Sequence, residues 1–442
     1  MKKQTFFTIL ILISLFGIFL SFVKKEKSNE KVTEITYWQF WTGFEGKAIE
    51  DLVNKFNKSH NNIKVKMLTI SEPWKKTLLS IIGGTPPDVI SIVAEWIPEL
   101  STRGALLPLD DYLEQNMITK DLFIPIFWEM LSLNGHTWAI PTTPTSTALY
   151  WNKDLFKEAG LDPERPPVTL SELKEYSRKL TKKKKDGSIL QAGFLPSWPT
   201  WSFGFYGVLF GGNWINKERT NITANNAGNI EGWKWAQDFV NELGVKNIQL
   251  YEQEFGNYQG PNNPFYTGMI AIELNGVWEG NFISYFAPKI KWGAAKTYNI
   301  DGEESTIVNC DCISIPKGSK HPKEAFEFIK WLVEQENMEE LCIKQKKFSP
   351  LIASDNETFI KKHPNPYIKV FIDLAKSKNA EYFPTSISYQ LYKRELLRAF
   401  ESVMKQNIDP EIALNAVQRK MEKEQIRQER YNKRRNNSGF SL

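Results

Sequence analysis

The sequence predicts an α/β fold with a mostly parallel sheet and more than one lobe. The chain has 442 residues, which is more than a single hydrophobic core usually serves. Strand-like and helix-like periodicities alternate along its first third. Residues 88–93 form a short, continuously apolar, β-branched run, typical of a strand that is buried on both faces. Alternation of this kind is the pattern of helices packed on a parallel sheet.

The first block of elements follows this alternation closely. Residues 34–41 are rich in β-formers and predict a strand, and the apolar residues of 48–56 recur at helical spacing. Residues 63–68 alternate as a strand does, and a second helix is predicted over residues 74–82. A Gly-Gly-Thr-Pro-Pro turn then leads into the buried strand.

A second block begins near residue 144. Residues 148–151 predict a strand, followed by a short helix that ends at Gly160. Thr169 and Glu172 stand at the spacing of a capping box, which predicts a helix start. Further strands are predicted over residues 269–274 and 307–315, one long helix over 322–341, and a last helix over about 410–431.

The N-terminus indicates a location outside the cytoplasm. Lys2 and Lys3 precede an apolar run at residues 6–23, which is a secretory signal or a signal anchor. The run is just long enough to span a bilayer, and neither a small-residue cleavage site nor a lipid-accepting cysteine follows it. These features favour an uncleaved anchor, with a cleaved signal as the alternative. Residues 1–31 are therefore excluded from the fold.

Composition excludes some functions and favours others. The net charge of +5, from 56 basic and 51 acidic residues, is spread along the chain without a nucleic-acid-reading motif, so no nucleic-acid partner is predicted. The 15 Trp residues exceed what core filling normally requires. Flat apolar faces with a polar edge suit sugar rings. Composition thus points to a binding surface for a small polar solute.

The three cysteines are predicted to be structural. Cys310 and Cys312 lie two residues apart in a predicted strand, so their side chains leave the same face. With Cys342 the number is odd, which excludes a full disulfide framework. Small buried apolar residues are the favoured interpretation. A metal site with His321, or one bridge to Cys342, are the weaker alternatives, and neither a metal nor a cofactor is predicted.

Several local motifs follow one another along the chain, each of them weak alone. They are Ile-Thr-Tyr-Trp-Gln-Phe-Trp at 35–41, Phe-Asn-Lys at 56–58, Gly-Thr-Pro-Pro-Asp-Val at 84–89, Leu-Pro-Leu-Asp-Asp at 107–111, Trp-Ala-Ile-Pro at 138–141, Leu-Tyr-Trp-Asn-Lys-Asp-Leu-Phe at 149–156, Asn-Gly-Val-Trp at 275–278 and Ile-Ser-Ile-Pro-Lys-Gly-Ser-Lys at 313–320. Together and in this order they resemble the family 1 extracellular solute-binding proteins, which include maltose-, glycerol-3-phosphate- and oligosaccharide-binding receptors. The resemblance covers about residues 34 to 425.

The resemblance implies a two-lobed periplasmic-binding-protein fold of type II-like topology. Each lobe is then a mostly parallel sheet flanked by helices, and the ligand lies in the cleft between lobes that close by a hinge motion. The family pattern places lobe one at residues 32–144 with 306–346 and lobe two at 145–305 with 347–435. Residues 1–31 are the signal peptide or signal anchor with its polar spacer, and residues 436–442 are a tail.

Candidate ligand contacts follow from the resemblance and from sugar chemistry. A sugar needs its ring faces covered and its hydroxyls hydrogen-bonded by carboxylates, amides and hydroxyls. The candidates lie at strand ends, in the first crossover and in the Asn-Gly-Val-Trp turn. They are Trp41, Glu72, Glu95, Trp96, Thr145, Ser146, Trp201, Trp278 and Glu279. Some maltose-type relatives carry an acid where Thr145 and Ser146 stand, which leaves the specificity open.

The function implied is that of the substrate-binding component of an ABC importer, a monomer without catalytic residues. It would capture a carbohydrate and deliver it to a membrane permease with a cytoplasmic ATPase. The rival class is an extracytoplasmic glycosidase, in which Glu95 and Glu279 would face each other across the cleft. No hydrolase motif accompanies them, and none of the four His stands in a metal or triad pattern. Binding proteins for a polyamine, an organophosphate or a peptide are the further alternatives.

Overall fold

A computed structural model describes residues 32–383 and 388–437. The predicted signal or anchor at residues 6–23 and most of the predicted tail lie outside the described residues. Within the two described ranges, no helix combines the length and apolar character needed to cross a membrane.

The strands follow the predicted alternation with helices. They are β1 (Thr33–Gln39), β2 (Ile63–Thr69), β3 (Val89–Val93), β4 (Ser132–Leu133), β5 (His136–Thr137), β6 (Ile140–Asn152), β7 (Lys182–Lys183), β8 (Ile189–Phe194), β9 (Ile270–Gly276), β10 (Trp292–Ala295), β11 (Ser305–Ser314) and β12 (Asn379–Tyr382).

The helices of the first half are α1 (Gly43–Ser59), α2 (Pro73–Ile82), α3 (Ile97–Thr102), α4 (Asp110–Gln115), α5 (Pro125–Leu131), α6 (Lys153–Glu158), α7 (Leu170–Leu180) and α8 (Phe203–Leu209). Those of the second half are α9 (Ala227–Leu243), α10 (Val245–Glu252), α11 (Glu279–Phe286), α12 (Pro322–Leu332), α13 (Gln335–Gln345), α14 (Glu357–Lys362), α15 (Ile368–Ala375), α16 (Tyr389–Gln406) and α17 (Pro410–Asn437). Short 3-10 turns lie at Ala94–Trp96, Lys120–Leu122, Thr200–Ser202 and Ile352–Ser354.

Ten of these strands form one sheet in the order β2-β1-β3-β11-β6-β9-β8-β7, with β10 on β6 and β12 on β11. The pairs of β1 with β2 and β3, and of β8 with β9, are parallel, as the βαβ pattern predicts. Three pairs are antiparallel: β6 with β11, β6 with β9, and β11 with β3. The sheet is therefore mixed, because two long strands join its parallel halves.

Two clusters of buried apolar side chains flank these joining strands. The first surrounds β1 to β3 and the second surrounds β8 and β9. Successive residues of β6 pack into different clusters. Ala148 and Tyr150 belong to the first cluster, and Leu149 and Trp151 belong to the second. Successive side chains of a strand point to opposite faces, so one strand serves both cores. Residues 348–375 join the first cluster and residues 383–421 the second.

The single helix predicted over residues 322–341 is two helices, α12 and α13. The helix α12 ends at Leu332 with Val333 as its cap, and Glu334, with a φ of -58° and a ψ of 141°, leaves the helical conformation just before α13 begins. The Asn337 side-chain amide donates to the Trp331 carbonyl at 2.7 Å, satisfying an acceptor that the helix end leaves open. Apolar periodicity continues through this break, which is why periodicity alone predicted one helix.

Local predictions at other elements are confirmed. The Thr169 hydroxyl accepts from the Glu172 backbone N–H at 3.0 Å, as a capping residue does, although the Glu172 carboxylate accepts from Val168 rather than from Thr169. Gly160 follows α6 with a φ of 73°, a left-handed conformation that favours glycine. The last helix extends to Asn437, beyond the predicted residue 431.

The cysteines are buried and unbridged. Cys310, Cys312 and Cys342 are all free thiols in the first core. Burial raises the pKa of each thiol, which keeps it neutral. The prediction that the three cysteines are buried core residues is therefore confirmed.

Candidate functional site

A cavity of about 370 Å³ lies where the joining strands pass between the two cores. Its wall is drawn from strand ends, helix starts and loops of both halves. The lining residues are Trp41, Glu45, Glu95, Thr145, Thr147, Trp201, Ser202, Phe203, Phe205, Tyr258, Gln259, Trp278, Phe282, Ile307, Val308, Asn309, Lys347, Phe383 and Lys393. The volume falls within the range of small-ligand sites, and the lining combines apolar rings with a few polar groups, as such sites do.

Three indole side chains contribute flat aromatic surface to the cavity. Trp41 follows β1, and Trp201 lies in the 3-10 turn before α8. Trp278 follows β9, and its ring meets that of Trp201 at 5.4 Å between centroids with an interplanar angle of 62°. All three are only partly buried. Each therefore keeps aromatic surface that a sugar ring can cover.

A buried ion cluster lies beneath Trp41. The Lys347 Nζ lies 3.0 Å from Glu45 Oε1 and 3.2 Å from Asp311 Oδ2, and 4.1 Å from the Trp41 ring centroid. Thr143 donates to Asp311 at 2.7 Å. Burial lowers the pKa of Lys347, but the charges of Asp311 and Glu45 outweigh burial and hold this pKa above its ordinary value. Lys347 is therefore charged and has carboxylate partners.

A second acid at the cavity also faces a lysine. Glu95 lies in the 3-10 turn after β3 and is 8% exposed. Lys393 of α16 places its Nζ 4.0 Å from Glu95 Oε2. Thr145 and Thr147, on β6, add hydroxyl groups to the same wall. The polar lining is thus close to charge balance, with Glu45 and Glu95 against Lys347 and Lys393.

A buried hydrogen-bond network lies behind the part of the wall that carries Trp278. Glu279 is fully buried, and its carboxylate accepts from Tyr266 at 2.5 Å and from Tyr258 at 3.2 Å. Glu273, also fully buried, accepts from the Asn275 amide at 2.9 Å. Burial raises the pKa of Glu279 above its ordinary value, and burial together with the nearby Glu279 charge raises that of Glu273.

Five of the residues predicted from sequence line this cavity: Trp41, Glu95, Thr145, Trp201 and Trp278. They come from five different segments of the chain, which the joining strands bring together. Their positions in the lining are consistent with ligand contact, and this role stays a prediction.

Four other predicted contacts do not line the cavity. Glu72 is exposed at the start of α2 in a left-handed conformation, with a φ of 52°. Trp96 packs edge-on against Trp74, 5.6 Å between centroids. The Ser146 hydroxyl is fully buried and donates to the Phe371 carbonyl, and Glu279 faces the tyrosines of the network. Strand alternation explains Ser146, since its neighbour Thr145 faces the other side.

Sequence reasoning missed Glu45, Tyr258, Lys347 and Lys393, all of which line the cavity. Glu45 lies in the first turn of α1, four residues after Trp41. Tyr258 lies in an irregular segment, Lys347 follows α13 and Lys393 lies within α16, all of them far in sequence from the first predicted contacts. Only Glu45 carried a local signal, through its closeness to a predicted contact.

The described residues include no group of three or more His, Cys, Asp or Glu side chains arranged to hold a metal ion. What the cavity offers is apolar ring faces, hydroxyl groups and carboxylate acceptors. This combination binds a polar solute by stacking and hydrogen bonding.

The chain belongs to the bacterial extracellular solute-binding protein family, whose family model matches residues 44–339. That span is more than half of the chain. The family resemblance seen in the ordered motifs is therefore confirmed. The family is one of binding proteins found outside the cytoplasm.

Individual proteins are similar to this chain in sequence or in structure. The sn-glycerol-3-phosphate-binding periplasmic protein UgpB of Pectobacterium atrosepticum is 24% identical over 273 residues, and the match spans 57% of each chain. The structure of CpMnBP1 with mannobiose bound has a TM-score of 0.77 and 28% identity, covering 88% of this chain and 99% of that one. The sugar-binding protein MalE of Xanthomonas citri has a TM-score of 0.75 at 17% identity, covering 91% and 99%. The predicted two-lobed α/β fold is confirmed.

Proposed function

We propose that this protein is the substrate-binding component of an ABC importer and that it captures a short, neutral carbohydrate outside the cytoplasm. The observation that carries the proposal is the cavity between the two cores. It is lined by Trp41, Trp201 and Trp278, with acceptors at Glu95 and hydroxyls at Thr145. Indole faces cover sugar rings, and carboxylates and hydroxyls bind sugar hydroxyls.

Charge balance at the cavity favours a neutral ligand over a phosphate or a polyamine. A phosphate recruits Arg or Lys groups that have no other partner, or the N-terminus of a helix. Among the described lining residues the cations are Lys347 and Lys393, and each has a carboxylate within 4.0 Å. Glu45 and Glu95 are the acids of the lining that a polyamine would need, and each already has a lysine partner, Lys347 or Lys393.

The rival function as a glycosidase loses its proposed pair of acids. Such an enzyme needs two carboxyl groups on either side of the scissile bond. Glu279 is fully buried behind Tyr258 and Tyr266 instead of facing Glu95 across the cavity. We therefore propose binding without catalysis.

The particular sugar is proposed from a relative. CpMnBP1 is 28% identical and has been solved with mannobiose and with mannotriose bound. Short manno-oligosaccharides are accordingly the first ligands to test. The partners proposed are a membrane permease and its ATPase, with residues 6–23 holding a monomeric receptor at the membrane.

Isothermal titration calorimetry against a panel tests the ligand class. The panel is mannobiose, mannotriose, maltose, sn-glycerol-3-phosphate, spermidine and a short peptide. Binding to one or more of the sugars, without release of reducing ends during overnight incubation, supports the proposal. Binding to the phosphate, the amine or the peptide alone contradicts it, and turnover of a sugar would move the protein to the glycosidases.

A further inference from the structure

The indole N–H of Trp278 is held by one side chain. Its Nε1 donates to the hydroxyl oxygen of Tyr258 at 2.7 Å. An indole N–H can only donate, so the Tyr258 oxygen is the acceptor and its own hydrogen remains free to donate elsewhere. Two acceptors lie within reach of that hydrogen, since the Tyr258 hydroxyl oxygen is 2.7 Å from Asn275 Oδ1 and 3.2 Å from Glu279 Oε2.

The donor and acceptor roles continue beyond Tyr258 in one direction. Asn275 Oδ1 also accepts from the Gly276 backbone N–H at 2.9 Å, which fixes the orientation of the amide. The Asn275 amide nitrogen then donates to Glu273 Oε1 at 2.9 Å. The chain therefore runs from Trp278 at the cavity to a carboxylate that is fully buried.

The backbone beneath the indole is built for close approach. A Cβ placed on Gly276 would lie 2.3 Å from a ring carbon of Trp278, so a larger residue would displace the ring. The backbone of Tyr258 is fixed by a further hydrogen bond, since the Asn263 side-chain amide donates to its carbonyl at 2.8 Å. Its ring meets that of Phe282 edge-on, 6.1 Å between centroids.

We propose that Tyr258 is a positioning residue of the binding site, which fixes the Trp278 indole against Gly276 and thereby sets the affinity for a sugar. The inference rests on the proposed function, since it takes Trp278 to be a ligand contact. The Tyr258 hydroxyl is engaged on both its donor and acceptor sides, so it acts through the orientation of the indole. Holding a ring in its bound orientation beforehand lowers the cost of ordering it on binding.

The test compares Tyr258→Phe with Tyr392→Phe in the full-length chain. Both substitutions remove one hydrogen-bonded tyrosine hydroxyl, but that of Tyr392 donates to the Trp214 carbonyl, outside the network. The protein is labelled with ¹⁵N-tryptophan, and the Trp278 indole resonance is assigned by its loss in Trp278→Phe. Hydrogen exchange of this N–H is measured without ligand, and the affinity for mannobiose by calorimetry.

In Tyr258→Phe we expect the Trp278 N–H resonance to move upfield and its exchange to become faster, because its acceptor is gone. The dissociation constant for mannobiose should rise roughly fivefold to tenfold, which corresponds to the loss of one hydrogen bond. Tyr392→Phe should change neither. Gly276→Ala, which pushes the ring while keeping Tyr258, should weaken mannobiose binding in the same direction.

An unchanged Trp278 resonance in Tyr258→Phe would overturn the proposal, as would a changed resonance with unchanged mannobiose affinity. If the wild-type protein binds no sugar of the panel, the proposed function fails. The resonance and its exchange rate then decide by themselves whether Tyr258 positions Trp278, so the two failures are distinguishable.

Discussion

The two walls of the cavity bury charge in opposite ways. Beneath Trp41, the Lys347 ammonium has two carboxylates, Glu45 and Asp311, within 3.2 Å. Behind Trp278, Glu273 and Glu279 are fully buried, and the contacts described for them are to neutral donors. The first wall keeps the Lys347 ammonium charged by pairing it with carboxylates, while burial favours the neutral form of the acids behind the second wall.

This difference determines how each wall responds to perturbation. A buried ion pair is sensitive to the loss of one partner, because the other charge is left in a poor solvent. A buried acid with neutral partners is sensitive to pH, because ionisation must be achieved against burial. Burial alone therefore does not predict whether an ionisable group is charged, because the charge state also depends on whether the group has an oppositely charged partner.

Removing the cation of the first wall should have the largest effect. We expect Lys347→Met to lower the free energy of unfolding by roughly 3–5 kcal/mol, since Glu45 and Asp311 lose their counter-charge. Urea denaturation measures this change. The control is Lys344→Met, whose ion pairs with Asp51 and Glu340 lie at the surface and should contribute less than about 1 kcal/mol. Equal effects of the two substitutions would contradict the role given to the buried cluster.

Truncating the indole of the second wall should affect binding more than folding. For Trp278→Ala we expect the affinity for the bound sugar to fall by roughly 1–3 kcal/mol, the order expected for an aromatic contact. Trp235 serves as a matched control, because it is also partly buried but packs against Phe239 away from the lining. Calorimetry that shows equal affinity for wild type and Trp278→Ala would remove Trp278 from the site.

The buried acids should make stability depend on pH. The pKa values of Glu273 and Glu279 are raised in the folded chain, so the folded state keeps protons that the unfolded state releases above a pKa of roughly 4.3. Their stabilisation is greatest below that pKa and is lost as pH rises toward the folded values, at up to about 1.4 kcal/mol per pH unit and proton.

We therefore expect Glu279→Gln to flatten the fall in unfolding free energy between about pH 5 and pH 8. Urea midpoints of wild type and variant across this range provide the measurement. The Lys347 cluster should contribute little slope there, because its raised pKa keeps the ammonium charged until alkaline pH. Parallel curves for wild type and Glu279→Gln would show that Glu279 is ionised throughout.

The smallest effect is expected at the exposed lysine. Lys393 is 44% exposed and 4.0 Å from Glu95, so Lys393→Met should change the unfolding free energy by less than about 1 kcal/mol. A loss close to that of Lys347→Met, measured by the same denaturation series, would break the distinction between paired groups in the interior and at the surface.

Sequence patterns predicted most of the fold for a clear physical reason. The strand at residues 63–68 and the helix carrying Phe56 have periodicities that depend only on neighbours in the chain. The break at Glu334 was missed because it depends on a capping contact from Asn337 to Trp331. For the candidate site, residues at strand ends such as Trp41 were found, whereas Lys393 had no local signal.

By itself the sequence determined the alternation of elements, the family and the presence of unusually many indoles. These properties follow from local periodicity, ordered motifs and composition. Only the tertiary structure decided which acids line the cavity. It buries Glu279 behind Tyr258 and pairs Glu45 with Lys347. The partners that set the charge state of each group lie far apart along the chain, and only folding brings them within hydrogen-bonding distance.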